Sequence, residues 1–127
     1  MSVRFDYDTR RDPPAPVLPV RLGTPGEEET SYSLIALVDT GADTTVIPLE
    51  VATRLRLPRV GEVAVRGVGG TRQRAAIHTL MIEVAGFRDS VEAIALGEEG
   101  LIGRDLLNRW VVTLRGPEQA MEVEVVS

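Results

Sequence analysis

Apolar residues along this chain fall mostly in short alternating runs, the period of half-buried strands rather than of long helices. Val3, Phe5 and Tyr7 alternate with polar neighbours and predict a short strand or ordered arm ahead of the prolines at 13, 14 and 16. From Val17, VLPVRL and TSYSLIALV read as two strands joined by GTPGEEE, whose Pro25-Gly26 is turn chemistry. DTGADTT, residues 39–45, is a loop, after which Val46 and Ile47 return to the core. Pro48 is placed as the first residue of a short helix with Leu49, Ala52 and Leu55 at helical spacing, and Pro58 stops it. EVAVRGVGGTRQRAAIHTLMIEVAG and SVEAIAL continue as strands, the first broken by a hairpin tip at Gly67-Val68-Gly69-Gly70. LIGRDLLNRW predicts a second short helix with Leu106, Leu107 and Trp110 facing inward. VVTLRGPEQAMEVEVV closes the chain as a strand, a turn around Gly116-Pro117 and another strand. The pattern predicts an all-β domain with one or two short helices.

Composition narrows the functions open to such a domain. With 127 residues, the chain is one domain with room for one core. Aromatic residues are only 4%, so that core must be Val, Leu, Ile and Ala. A net charge of −5 argues against nucleic acid as a partner, because phosphate binding needs a concentrated basic face. Arg66, Arg72 and Arg74 bracket the glycine run and read as a solvated hairpin. The absence of cysteine removes disulfides, thiolate metal sites and cysteine nucleophiles, and it fits a reducing compartment. The N-terminal MSVRFDYDTRRDPPAP carries no apolar signal segment, and no apolar run approaches the ~20 residues of a membrane span. A cytoplasmic protein with no membrane partner is expected.

One polar residue stands out against this background. Asp39 directly follows Leu34-Ile35-Ala36-Leu37-Val38, so it is expected to be half-buried at the end of a strand, where a lone carboxylate is costly. A bare Asp-Thr-Gly is most often only a turn, with Asp and Thr bonding locally and Gly supplying an unusual backbone angle. In this setting no lysine or histidine lies nearby to neutralise the charge. Another carboxylic acid can: two aspartates facing each other share one proton, because like charges at close range cannot both ionise. Such a pair can take a proton from water while protonating a carbonyl oxygen. With a single Asp-Thr-Gly per chain, Asp39 would meet its own copy across a two-fold axis.

At this point the sequence resembles the retropepsins, the homodimeric aspartic proteases of retroviruses and their cellular and bacterial relatives. The resemblance rests on three motifs in order: LVDTGADTTVI at 37–47, GVGG at 67–70 and LIGRDLL at 101–107. It implies a retropepsin-like acid protease barrel with one active-site loop per chain and a flap hairpin at residues 66–71. It further implies that Asp39 is catalytic, that Thr40 bonds across the dimer axis, and that the Gly41 backbone approaches carboxylates and substrate. Ala42 and Asp43 would line bound peptide, and Gly67, Val68 and Gly69 would form the flap tip, with the Val68 N–H reaching substrate through a water. Asp43 and Arg104 match an ion pair expected to be a buried tie between the active loop and the second helix. The segment 101–103 matches the one through which the Asp-Thr-Gly loop threads. No cofactor and no metal are implied; the partners are a second copy and a peptide or protein substrate.

The chain also departs from the viral pattern. Arg66 replaces a usual flap glycine, which would either stiffen the flap or shift substrate preference toward acidic residues, and Asp105 replaces a common asparagine, changing the helix charge. The helix at Pro48 is more like cellular and bacterial members. Residues 1–16 are expected as an N-terminal arm, 17–116 as the protease domain and 117–127 as a C-terminal strand extension. Two functions remain: an aspartic endopeptidase, or a catalytically weak dimerisation or peptide-binding module on the same fold. His78, Met81 and Trp110 are given no catalytic part.

Overall fold

The computed structural model describes residues 1–126, apart from the side chains of residues 28–30 and 68. Ser127, the last residue of the expected C-terminal extension, lies outside the described residues.

Strands dominate, as the alternation predicts. β1 (Ser2–Asp6) lies in the arm; β2 (Val17–Thr24) and β3 (Glu27–Val38) form an antiparallel hairpin. In β2, Leu18, Val20 and Leu22 are buried while Pro19 and Arg21 face out. Thr24 pairs with Glu27, so the turn is Pro25-Gly26 alone, and β3 takes in residues 27–29 that the sequence assigns to loop. Gly26 adopts φ 80°, the left-handed value that a Pro-Gly turn asks of its glycine.

Five further pairings turn this hairpin into a barrel. The end of β3 runs parallel to β8 (Leu101–Ile102), which meets β4 (Val46–Ile47), which runs parallel to β7 (Phe87–Ala95). β7 is antiparallel to β6 (Arg72–Val84) around the tight turn Ala85-Gly86. β6 then returns to β2 through Leu22↔Ile82 and its neighbours, closing six strands. Within these six strands closure removes the open edge, while β5 stands outside the ring as an edge strand. Leu18, Leu22, Leu80, Ile82 and Ile102 fill the core and are essentially inaccessible. β5 (Arg59–Arg66) pairs with the first half of β6 and carries the hairpin whose tip is a single 3₁₀ turn at Val68–Gly70.

The two helices are short and differ in detail from the sequence expectation. α1 (Leu49–Arg54) has Pro48 as its N-cap rather than its first residue, which turns Val51 and Ala52 inward and leaves Leu49 exposed. The helix ends before Pro58, at Leu55, whose carbonyl accepts the Thr24 hydroxyl at 2.7 Å. α2 (Arg104–Leu107) is a single turn. It buries Leu106 and Leu107, but Trp110 opens the next strand instead of completing the helix and packs edge-on against Phe87 at 5.4 Å.

Both ends of the chain meet in a second sheet of order β1-β10-β9, with β9 at Trp110–Arg115 and β10 at Ala120–Val125. The register places Val3, Val123 and Val112 in one row and Phe5, Met121 and Leu114 in the next, giving an apolar face. Arg4, Glu122 and Glu124 occupy the other face.

Candidate active site

Asp39 sits where the apolar run predicts, directly after β3 and partly buried. Its backbone N–H donates to the Ile102 carbonyl at 3.0 Å, so β8 extends the strand pairing by one bond and fixes where the loop departs. The loop then folds back on its own aspartate. Gly41 N–H donates to Asp39 Oδ1 at 2.9 Å, and Ala42 N–H to the Asp39 carbonyl at 3.2 Å. A Cβ on residue 41 would lie 3.2 Å from that same Oδ1, which explains a glycine at this point. One carboxylate oxygen is thus held by the chain, and Thr40 and Gly41 are exposed beside it.

The segment from 100 to 105 is wrapped against this loop. Gly103 is buried, and a Cβ there would stand 2.7 Å from the Thr44 carbonyl carbon, so only glycine lets the two backbones pass. Arg104 N–H donates to the Ala42 carbonyl at 2.9 Å. Its guanidinium donates to the Thr40 carbonyl at 2.9 Å through Nη1 and pairs with Asp43 through Nη2. Asp43 and Arg104 therefore meet, but their side chains are 84% and 46% exposed in the single chain, so the expected buried tie is a surface pair. The reason is local: Asp43 leaves the loop on its open side while the carbonyls turn inward.

A tie buried at one end does exist, one turn along. Thr45 is 1% exposed; its hydroxyl donates to Asp105 Oδ1 at 2.8 Å and accepts the Gly103 N–H at 3.2 Å. The Thr45 and Leu106 N–H groups also donate to the Asp105 carboxylate. Sequence reasoning assigned Asp105 only a change of helix charge and missed Thr45. The available signal was a threonine pair entering a strand, with an aspartate in the first turn of a helix after a buried glycine.

Across from the loop, Gly41, Ala42, Asp43 and Thr44 share one cleft of about 680 Å³ with Val63–Arg66 of β5. Val46, Ile94, Leu96 and Leu101 supply apolar lining, with Glu98 and Glu99 also on its wall. Gly67, Val68 and Gly69 lie beyond this lining at the hairpin tip, where Gly69 and Gly70 have φ of 85° and 80°. The Val68 side chain is outside the described residues. The base of the hairpin is braced by Glu62, which pairs with Arg74 across the strands and with Arg59 at 2.9 Å. These hydrogen bonds, Arg74's foremost, hold the Glu62 carboxyl below its usual range.

His78 is far from this chemistry. Its Nδ1 lies 3.0 Å from the Leu57 carbonyl, a bond that requires the proton on Nδ1 and ties β6 to the segment after α1. Among the described residues, no three His, Asp or Glu side chains gather to hold a metal ion, and no helix is long and apolar enough to cross a membrane.

Comparison with known proteins follows the same geometry. Residues 30–109 match the family model described as "gag-polyprotein putative aspartyl protease". The EIAV protease in complex with the inhibitor HBY-793 matches with a TM-score of 0.60 and 23% identity, over 82% of this chain and 92% of that one. A retropepsin-like aspartic protease from Rickettsia conorii matches with a TM-score of 0.63 and 17% identity, over 100% and 93%. The retroviral protease-like domain of Ddi1 from Leishmania major matches with a TM-score of 0.53 and 18% identity, over 87% and 94%. At such identities the likeness is one of fold. A search among curated proteins finds no significant match.

Proposed function

Because the chain belongs to the gag-polyprotein aspartyl protease family and has the retropepsin-like fold, we propose that it is an aspartic endopeptidase working as a symmetric homodimer. The observation that carries this reading is the setting of Asp39. It stands at the end of a barrel strand with Oδ1 held by the Gly41 N–H, on a loop whose next residues, Thr40 and Gly41, are exposed. That arrangement leaves Oδ2 to face an identical loop.

In the assembled pair the two Asp39 carboxylates hold one proton between them. The ionised member takes a proton from a water molecule as its oxygen attacks the peptide carbonyl carbon. The protonated member gives its proton to the carbonyl oxygen. The protonated carboxyl then gives its proton to the amide nitrogen while the ionised one takes a proton from a hydroxyl of the tetrahedral intermediate, so the C–N bond breaks, a carboxylic acid and an amine leave, and the dyad again holds one proton. Gly41 orients the carboxylate, and Thr40 supports the loop across the two-fold axis. Ala42, Asp43, Gly67, Val68 and Gly69 contact the peptide from below and above. A cysteine-free chain acting in a reducing cytoplasm belongs to the same reading.

Two measurements test it together. Activity per chain falls on dilution, in step with loss of dimer in sedimentation, and Asp39→Asn abolishes peptide cleavage while leaving the melting temperature unchanged or higher. Full activity in a strict monomer rejects the shared site. A folded Asp39→Asn protein that still binds peptide, beside a wild type that never cleaves, favours the binding-module alternative.

A further inference from the structure

The cleft adjoins the active loop from Gly41 onward, without Asp39 itself in its lining; apolar and charged side chains share that lining, and the charges are not equally free. Asp43 is met by Arg104, and Glu99 by Arg11. Arg11 itself lines a separate groove on the outer side of residues 97–99, together with Leu34, Ile35 and Leu49. The loop 97–100 is therefore a partition whose Glu98 and Glu99 border both the cleft and the outer groove: Glu99 is engaged by Arg11, and Glu98 is left with no hydrogen bond or ion pair among the described residues. Arg66, on the flap strand across the cleft, is likewise unpaired.

The partition is well held. The Gly97 carbonyl accepts the Leu49 N–H at 3.0 Å, and the Gly100 carbonyl accepts the Leu37 N–H at 2.9 Å. Gly97 takes φ 65°, and a Cβ on Gly100 would press to 2.7 Å from Leu34 Cδ1. An ionised side chain on a fixed backbone is pre-organised to meet an opposite charge with little further ordering of the main chain.

Resting on the endopeptidase reading above, we propose that Glu98 is a specificity residue that selects peptides carrying a cationic side chain, lysine or arginine, close to an apolar cleavage site. The apolar lining takes the central residues. Glu98 reads a positive charge on the wall formed by the partition, in both halves of a symmetric pair. The preference for acidic residues anticipated at Arg66 concerns the opposite wall, so the two charges set different peptide positions. Because Glu98 is exposed, the preference weakens as ionic strength rises.

The test uses full-length Asp39→Asn, in which binding is read without cleavage. Fluorescein-labelled decapeptides with an apolar centre carry a single Lys, Gln or Glu at each of the flanking positions, and their affinities are read by anisotropy. At one or more positions Lys is expected to bind about fivefold tighter than Glu, the scale of one exposed charge pair. Adding Glu98→Lys is expected to reverse that order, and Glu98→Gln to flatten it, with melting temperatures confirming that each variant folds. A preference that survives Glu98→Lys, the absence of any charge preference, or failure to bind any peptide overturns the inference. Wild-type cleavage of the same peptides separates the two readings. Hydrolysis without Glu98 dependence keeps the protease and removes this selectivity; Glu98-dependent binding without hydrolysis does the reverse.

Discussion

The Thr45 hydroxyl donates to the Asp105 carboxylate at 2.8 Å while accepting the Gly103 N–H, and this relay joins the active loop to α2 from a buried threonine to an exposed aspartate. It places the structural tie of the site at a buried threonine rather than at the exposed Asp43–Arg104 pair.

Replacing Asp105 by alanine leaves the buried Thr45 N–H and hydroxyl without their acceptor. An unsatisfied buried polar group costs ~1–3 kcal/mol, so Asp105→Ala is expected to lower unfolding stability by about 2–3 kcal/mol. Asp105→Asn keeps one oxygen for Thr45 Oγ1 and the Leu106 N–H and is expected to cost under ~1 kcal/mol. Urea denaturation of the two variants decides the matter. Equal effects would mean that the carboxylate acts by charge and not as an acceptor for Thr45.

Arg104→Ala is expected to behave differently. The ion pair it removes is solvent-exposed and is worth under ~1 kcal/mol. The variant also frees the Thr40 carbonyl, which Arg104 holds at 2.9 Å, on the face proposed to meet the second chain. A small change in melting temperature with a much larger loss of dimer affinity and activity is the expected signature. A stability loss as large as that of Asp105→Ala would show that the pair is buried in the assembled protein.

Local patterns carried most of the fold. Alternation in β2 marks Leu18, Val20 and Leu22 as interior, and the apolar run before Asp39 marks the end of β3. Motif order also named two segments that the fold brings together, the Asp39 loop and residues 102–105, because each motif is a short local signature. What local pattern could not supply was contact across the chain. Thr45 and Asp105 are 60 residues apart, and Arg11 and Glu99 are 88 apart, so neither partnership leaves a trace in either neighbourhood. Exposure was hidden for the same reason: Arg104 and Asp43 meet, but only the folded loop shows that solvent reaches both. Leu49 was misjudged because shifting Pro48 to the N-cap rotates the inner face of α1 onto Val51 and Ala52.

Several surface carboxylates tie stability to pH with one sign. Arg74's hydrogen bond lowers Glu62, Arg109's lowers Asp89, and Arg10's lowers Asp8, each below an ordinary value of 4.5 for Glu or 3.8 for Asp. A carboxyl depressed in the folded state contributes stability that is complete above its unfolded value and is lost as pH falls through the folded one. The melting temperature is therefore expected to be flat from neutrality to about pH 5 and to fall below it. Glu62→Gln should make that fall shallower. Stability that rises on acidification would contradict the assignment.

Catalysis by a shared-proton dyad requires one carboxyl ionised and one protonated, so activity should peak between the two macroscopic pKa values of the pair. The expected profile is a bell on the acid side of neutrality, with its acid limb steepened where the folded protein itself begins to lose stability. Measuring melting temperature in the same buffers separates the two causes, since the dyad's limb must begin before unfolding does. The chain has no cysteine, so no thiol supplies an alternative nucleophile. Thiol reagents and chelators should leave the rate unchanged, while a statine-type inhibitor should suppress it. Activity that climbs steadily to alkaline pH, or that a chelator removes, would reject the Asp39 dyad.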